Sequence, residues 1–155
     1  MSEFQILNQM DISKVTLVSV PDLPGIAARI FGSLWSHGMN VQLITSASCG
    51  TMGKVNITFV LAKKDLQSAM FELKKISEDI KAQELAIDPE VALVTVTHPQ
   101  LSQTPGIAGR AFEVLATQKI NIQAVCTSMT CLHCLIAKSQ LNQATQALQK
   151  EFGLN

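Results

Sequence analysis

A block of eight residues occurs twice in this chain, and that recurrence constrains the fold more than any other feature. Pro24-Gly-Ile-Ala-Ala-Arg-Ile-Phe31 is matched by Pro105-Gly-Ile-Ala-Gly-Arg-Ala-Phe112. The correspondence runs without a gap through Leu34/Leu115, Asn40/Asn121 and Gln42/Gln123 at a constant offset of 81, and nine of the nineteen residues from 24 to 42 are identical to their counterparts. One structural unit has been duplicated, so whatever fold the first copy adopts must be built again in the second.

Each copy reads as strand, helix, two strands, helix. In the first, the β-branched run Val15 to Val20 predicts a strand. Pro24 stands where proline is tolerated at a helix start, and Ile26, Ala27, Ile30, Phe31, Leu34 and Trp35 follow at helical spacing up to a closing Gly38. A strand through Asn40 to Ile44, a turn around Gly50 to Gly53, and the alternation of Val55, Ile57, Phe59 and Leu61 predict a hairpin. Leu66, Ala69, Met70, Leu73, Ile76 and Ile80 mark a second amphipathic helix, and Leu85 to Ile87 a short strand before Asp88-Pro89 breaks the chain.

The second copy repeats the order: a strand at Val91 to Thr97, a helix from Pro105 to about Thr117, strands at Ile120 to Cys126 and Leu132 to Ala137, and a helix carrying Leu141, Ala144, Leu148 and Phe152. It lacks a closing strand, and the extended-looking Phe4 to Leu7 is the segment that can supply one. The expectation is an α+β chain of two ferredoxin-like βαββαβ units, with antiparallel sheets, helices on one face, and an N-terminal strand completing the second unit. Residues 1–13 would form that N-terminal segment, 14–89 the first unit and 90–155 the second.

Composition narrows the function classes. Twelve Lys and Arg balance twelve Asp and Glu, and no stretch concentrates the basic residues. The electrostatic footprint of a nucleic-acid or anionic-membrane binder is therefore missing. No apolar run approaches the ~20 residues that cross a bilayer, and the N-terminus does not read as a secretory signal. The expectation is a cytoplasmic protein. The four cysteines, Cys49, Cys126, Cys131 and Cys134, are unevenly placed in a chain long enough to fold without crosslinks, so reduced thiols are expected.

The repeated positions suggest a ligand. A Pro-Gly step entering a helix leaves backbone N–H groups unpaired at the positive end of the helix dipole, which favours a carboxylate, and glycine permits close approach. Asp22 can answer an ammonium group, while Asn40 and Gln42, two apart on a strand, share a face and can donate and accept hydrogen bonds. Together they suit a zwitterion. The same residues also have a purely architectural reading, in which Pro24 and Gly25 start a helix, Asp22 is a near-cap and Asn40 is a turn residue.

Cys126, Cys131, His133 and Cys134 raise a competing reading as a metal- or redox-sensing module, although Cys131 and Cys134 point to opposite faces if Leu132 to Ala137 is a strand, with Cys134 in the apolar row. Catalytic signatures are lacking. There is no phosphate-cradling glycine loop with lysine, no HExxH and no GxSxG, and His37, His98 and His133 have no obvious carboxylate neighbours in the sequence. Arg29 and Arg110 read as solvated or interface residues, and no cofactor or metal is expected.

Val20-Pro-Asp-Leu-Pro-Gly-Ile-Ala-Ala-Arg-Ile-Phe31 followed by Met39-Asn-Val-Gln42 resembles the first regulatory ACT domain of aspartate kinases. Pro105 to Ala108, Ile120-Asn-Ile-Gln123, Cys126-Thr-Ser128 and the terminal Ala147 to Leu154 resemble the second, in the same order. The resemblance implies a tandem ACT pair that works with an aspartate kinase catalytic domain or subunit. It further implies homodimerisation, and binding of lysine or threonine at ACT–ACT interfaces for feedback inhibition.

By position, the resemblance places Asp22, Pro24, Gly25, Ile26, Ala27, Asn40, Val41 and Gln42 in the main effector site, with Asn121, Ile122, Thr127 and Ser128 contributing from the second domain. The chain departs from the family's pattern at Ser46-Ala47, where Gln-Asn is common, and at Met129, where an acid is usual. Gln103 stands at the repeat position of Asp22. A free-standing tandem ACT regulator of some other partner is the remaining alternative.

Overall fold

The computed structural model describes residues 3–154. Met1, Ser2 and Asn155, which belong to the expected N-terminal segment and second unit, lie outside the described residues. The chain divides into two compact units, one of Asp11–Pro89 and the other of the residues up to Met10 together with those from Glu90 onward. Asp11, Ile12 and Ser13 thus belong to the first unit, where Ile12 opens its first strand.

The first unit contains β2 (Ile12–Pro21), α1 (Ile26–Ser36), β3 (Val41–Ser48), β4 (Lys54–Ala62), α2 (Lys63–Asp79) and β5 (Glu84–Asp88). Its antiparallel sheet has the order β3-β4-β2-β5. The second unit contains β1 (Gln5–Gln9), β6 (Val91–Thr97), α3 (Ile107–Thr117), β7 (Ala124–Thr127), β8 (Cys131–Ala137) and α4 (Leu141–Glu151), with the sheet order β1-β6-β8-β7. The two orders are the same. β6, β8 and β7 take the places of β2, β4 and β3, and β1 fills the edge that β5 fills in the first unit, pairing antiparallel with β6 from Gln5↔Thr97 to Gln9↔Leu93. The N-terminal strand therefore completes the second unit.

Strand alternation sends one row of each sheet into a core beneath the helices. In the first unit Val15 and Leu17 from β2 and Ile57, Phe59 and Leu61 from β4 meet Ile30 and Leu34 from α1 and Ala69, Leu73 and Ile76 from α2. Phe59 is fully buried and takes Phe31 edge-on at a centroid distance of 5.2 Å. Burying such a ring contributes roughly 1.5–3 kcal/mol. Trp35, which the helical spacing assigned to the apolar stripe, is 77% exposed. It lies about 100° around α1 from the buried Leu34, beyond the stripe that faces the sheet. The rows on the opposite face carry polar cross-strand pairs: the Thr16 and Thr58 hydroxyls lie 3.0 Å apart in the first unit, and the Thr95 hydroxyl meets His133 Nδ1 at 2.9 Å in the second.

Both leading helices begin two residues later than their prolines suggest. Gly25 and Gly106 are the N-caps, with φ of 91° and 89°, and Ile26 and Ile107 are the first helical residues. Left-handed backbone at glycine after proline is the geometry of a type II turn, and Ile26 N–H reaches Leu23 C=O at 3.3 Å. The Pro-Gly step is a turn that aims each helix. It is not the first turn of the helix itself.

The helices also end alike. Met39 N–H bonds Leu34 C=O and Ile120 N–H bonds Leu115 C=O, closing each helix through a left-handed residue, Gly38 in one copy and Lys119 in the other.

Two strand boundaries differ from the expected ones. β3 runs on to Ser48, leaving Asn40 just outside it, and β7 starts only at Ala124, so Ile120 to Gln123 are not strand. Buried Ile120 and half-buried Ile122 still pack on the core, which is why their pattern imitates a strand. β2 and β3 each carry a bulge where pairing with β4 slips, at Ser19 (φ 55°) and Leu43 (φ 48°). The freed Ser19 N–H is taken by Asn56 Oδ1 at 2.9 Å. Such bulges re-aim the strand beyond them, here the end of β2 that leads to Asp22.

Candidate functional site

In the first unit, antiparallel pairing brings the start of β4 beside the end of β2, with Pro21 opposite Lys54 and Val20 opposite Val55. The β3–β4 hairpin therefore lies against the loop after β2, and Asp22 N–H is held by Gly53 C=O at 2.9 Å. Between them lies an open surface groove of about 350 Å³ lined by Asp22, Ser48, Gly50, Thr51, Met52, Gly53, Lys54 and Val55, of which all but Lys54 and Val55 are exposed. It offers one carboxylate, one ammonium and two hydroxyls. Neither Asp22 nor Lys54 joins an ion pair among the described residues.

The sequence-based site residues fall into separate groups. Pro24, Gly25 and Ala27 are exposed on the turn and first helical residues that follow Asp22, with Ile26 half-buried against the core. Asn40, Val41 and Gln42 are elsewhere. Val41 and Gln42 pair with Leu61 and Val60, at the far end of β4 from Lys54. Six strand residues at ~3.3 Å each put Gln42 roughly 20 Å from the Asp22 end of the sheet. The face sharing expected of Asn40 and Gln42 is also broken, because Asn40 precedes the strand and the Leu43 bulge disturbs the alternation after it.

In the second unit Asn121 and Ile122 lie on the segment before β7, while Thr127 and Ser128 lie at its other end. Ser128 is committed to the β7–β8 turn: its Oγ accepts the N–H groups of Cys131 (3.0 Å) and Thr130 (3.3 Å). Gln103, the repeat counterpart of Asp22, lies in a short 3-10 turn, Leu101–Gln103, from which Ser102 N–H bonds Met129 C=O at 3.1 Å. The loop-to-hairpin tie is thus present in both copies, but only the first brings a carboxylate to it.

The cleft's hairpin residues Ser48, Gly50, Thr51 and Lys54 were missed by motif reading, since they fall outside the repeat. The available signal was the hydroxyl- and glycine-rich run from Ser46 to Lys54, together with the strand order that places it beside Asp22. Cys49 lies in the same hairpin. A hydrogen bond from the Thr51 backbone pulls its thiol below the ordinary value; desolvation opposes this, and the Ser19 and Thr51 hydroxyls add to it. Cys134 is the opposite case: it is buried in the second core, and desolvation pushes its thiol up to about 12.

The Cys126–Cys134 segment does not converge on one point. Cys131 and His133 share the face away from the helices and Cys134 faces the core. Among the described residues no group of three His, Cys, Asp or Glu side chains is placed to hold a metal ion. Two histidines gain carboxylate neighbours that their sequence surroundings did not suggest: His37 Nε2 lies 3.5 Å from Glu72 and His98 Nε2 lies 3.6 Å from Glu3. In both, a partner distant in sequence is delivered by packing. Each pair joins one exposed side chain to one largely covered one, and none of the four residues lines the groove. Arg110 is likewise engaged, bonding Glu151 at 2.7 Å and lying 4.8 Å from the centre of the Phe152 ring.

Residues 15–76 and 94–152 each match the ACT domain family, and the chain belongs to it, carrying two copies in tandem. Over nearly its whole length it is similar to aspartokinases: 31% identical over 145 residues to the enzyme of Pseudomonas aeruginosa, covering 94% of this chain and 35% of that one. It spans about a third of the length of the curated relatives it matches. Among solved structures, the regulatory subunit of aspartate kinase from Thermus thermophilus, in its ligand-free form, superposes with a TM-score of 0.88 at 26% identity, covering 95% of this chain and 96% of that one. The aspartate kinase of Synechocystis superposes with a TM-score of 0.90 at 25% identity, covering 97% of this chain and 27% of that one. The similarity is therefore to the ACT-bearing portion of these kinases. Among the described residues, no helix is long and apolar enough to cross a membrane.

Proposed function

We propose that this chain is an amino-acid-sensing regulatory module of an aspartate kinase, binding lysine or threonine for feedback inhibition and acting on a catalytic domain or subunit in the cytoplasm. The observation that carries this reading is the end-to-end correspondence with a regulatory subunit of such a kinase, in a chain whose first ACT domain keeps a carboxylate outside any ion pair among the described residues, in an open groove beside the β3–β4 hairpin. The reading includes a homodimer in which effector sites form at ACT–ACT interfaces. An effector that binds one arrangement of the domains better than another shifts the population toward it, typically through ~1–3 kcal/mol of coupling.

Calorimetric titration of the chain with lysine, threonine and a panel of other amino acids tests the proposal. Binding that weakens in Asp22→Ala supports it. If no amino acid binds, alone or in mixtures, the sensing function is lost whatever the fold. Inhibition of an aspartate kinase catalytic subunit in the presence of this chain and the bound amino acid is the corresponding functional readout.

A further inference from the structure

We infer that Asn56 is a positioning residue for Asp22: it holds the β2 bulge that brings the Asp22 loop onto the β3–β4 hairpin, and through that loop it sets how tightly the groove binds its effector. The inference rests on the effector-sensing reading above and adds a residue that does not itself line the groove.

Register makes the bulge necessary. Toward the end of β2 the fully buried positions are Val15, Leu17 and then Val20, so one extra residue enters between the last two. Over the same stretch β4 advances only from Ile57 to Val55. Pro21 then lies opposite Lys54, and Asp22 N–H reaches Gly53 C=O at 2.9 Å. In an unbulged strand Ser19 would take the core place of Val20, and Pro21 would stand opposite Gly53 in the place of Asp22. Proline has no N–H, so the tie between loop and hairpin could not form.

The bulge is held at a single peptide group. Its Val18 C=O accepts the Gln83 N–H at 2.9 Å on one side, and its Ser19 N–H donates to Asn56 Oδ1 at 2.9 Å on the other. Ser19 carries a left-handed φ of 55°, a conformation that costs any residue with a Cβ, and its displaced N–H is partly buried and needs an acceptor. The first bond is backbone to backbone. The second depends on the side chain at position 56, which lies on the face of β4 opposite the core residues Ile57 and Phe59.

The second unit supplies the comparison. β6 and β8 pair without a slip from Val91↔Ala137 to Thr97↔Cys131. With Thr95 and His133 in the places of Thr16 and Thr58, Cys131 stands where Asn56 does and offers no carbonyl oxygen. That unit also has Gln103 at the repeat position of Asp22. The acid, the bulge and the amide that holds the bulge occur together in one copy. Because the groove is open, it does not fix a ligand by enclosure, and its affinity rests on how firmly the backbone presents Asp22.

The test compares the full chain with Asn56→Leu, Asn56→Ala and Asn56→Asp, each first checked by thermal melting. Hydrogen exchange at the Ser19 and Asp22 amides reads the loop, the Phe59 and Leu61 amides of β4 serve as reference, and calorimetric titration with lysine and with threonine reads the groove. Asn56→Leu and Asn56→Ala should each speed exchange at Ser19 and Asp22 by about tenfold, leave Phe59 and Leu61 within about twofold, and weaken amino-acid binding by about five- to tenfold. Asn56→Asp, whose carboxylate still accepts the Ser19 N–H, should stay within about threefold of the parent in both measurements. Unchanged exchange at Asp22 in the Leu and Ala variants overturns the inference. So does faster exchange spread evenly along β4, which would make Asn56 a general stabiliser of the sheet, and so does unchanged binding in a variant whose Asp22 amide has lost its protection. Absence of binding by every amino acid removes the effector reading and the affinity claim built on it, while exchange at Asp22 still decides whether Asn56 holds the loop.

Discussion

Asp22 and Gly53, thirty-one positions apart in sequence, are joined by a 2.9 Å hydrogen bond from the backbone N–H of the first to the carbonyl of the second. The bond holds the loop after β2 against the β3–β4 hairpin and leaves the Asp22 side chain free of the tie. Backbone and side chain at this residue can therefore be separated experimentally. Asp22→Asn preserves shape and the backbone bond but removes the charge. It should leave the urea unfolding midpoint within experimental error and weaken amino-acid binding by about tenfold, the loss expected for a charge-assisted hydrogen bond. A fall in stability matching the fall in affinity would assign Asp22 an architectural role.

Cys49 and Cys134 should differ sharply as nucleophiles. Thiolate is the reactive form, and the Thr51 backbone favours it at Cys49 while burial opposes it at Cys134. Iodoacetamide at neutral pH should label Cys49 well before Cys134, as read by peptide mass mapping over time. Because Cys49 stands between two residues that line the cleft, Ser48 and Gly50, the labelled protein should also bind amino acid more weakly. Early labelling of Cys134 would mean that the second core opens readily.

The paired helix ends give a stability prediction. Gly38 and Lys119 occupy the same left-handed closing position, with φ of 74° and 58°. A non-glycine residue there carries a backbone cost of roughly 1–2 kcal/mol, partly offset by the greater freedom glycine has when unfolded. Lys119→Gly should therefore stabilise the chain by about 0.5–1 kcal/mol, and Gly38→Ala should destabilise it by a similar amount. Urea denaturation of the two variants measures both, and a destabilising Lys119→Gly would show that the lysine side chain contributes more than its backbone conformation costs.

His133 gives a pH dependence of defined sign. Desolvation lowers its pKa below the ordinary 6.5. The unfolded chain then takes up the proton more readily than the folded one, so this contribution to stability is complete above about 6.5 and declines as the pH falls below it. Replacing the ring by Gln, which can still bond Thr95 Oγ1, should flatten the decrease of the unfolding midpoint between about pH 7 and pH 5 relative to the parent chain. An unchanged slope would locate the acid sensitivity in other groups.

Local periodicity made the duplicated unit, its helices and most of its strands legible, because the apolar spacing of Ile30 and Leu34, or of Ile57, Phe59 and Leu61, is imposed by which side of each element meets the core. It misled where packing mimics a pattern. Ile120 and Ile122 alternate like a strand yet precede one, and Trp35 follows the helical stripe in sequence but not in space. Pro-Gly was legible as a helix signal, but its geometry as a turn depends on a glycine dihedral that the residue type permits without requiring.

The constellation at the Asp22 loop shows the same division. By itself the sequence determined that two ACT units are present, that the N-terminal strand is needed to close the second, and that Asp22 has no acidic counterpart at Gln103. Tertiary structure decided what Asp22 faces. Asn40 and Gln42, closer to it along the chain, are carried by α1 and β3 to the far end of the sheet, whereas Ser48, Thr51 and Lys54 are returned to its side by antiparallel pairing of β4 with β2. Sequence spacing governs contacts within one helix or strand. Contacts between elements follow strand order and register, which are set by how the whole core packs.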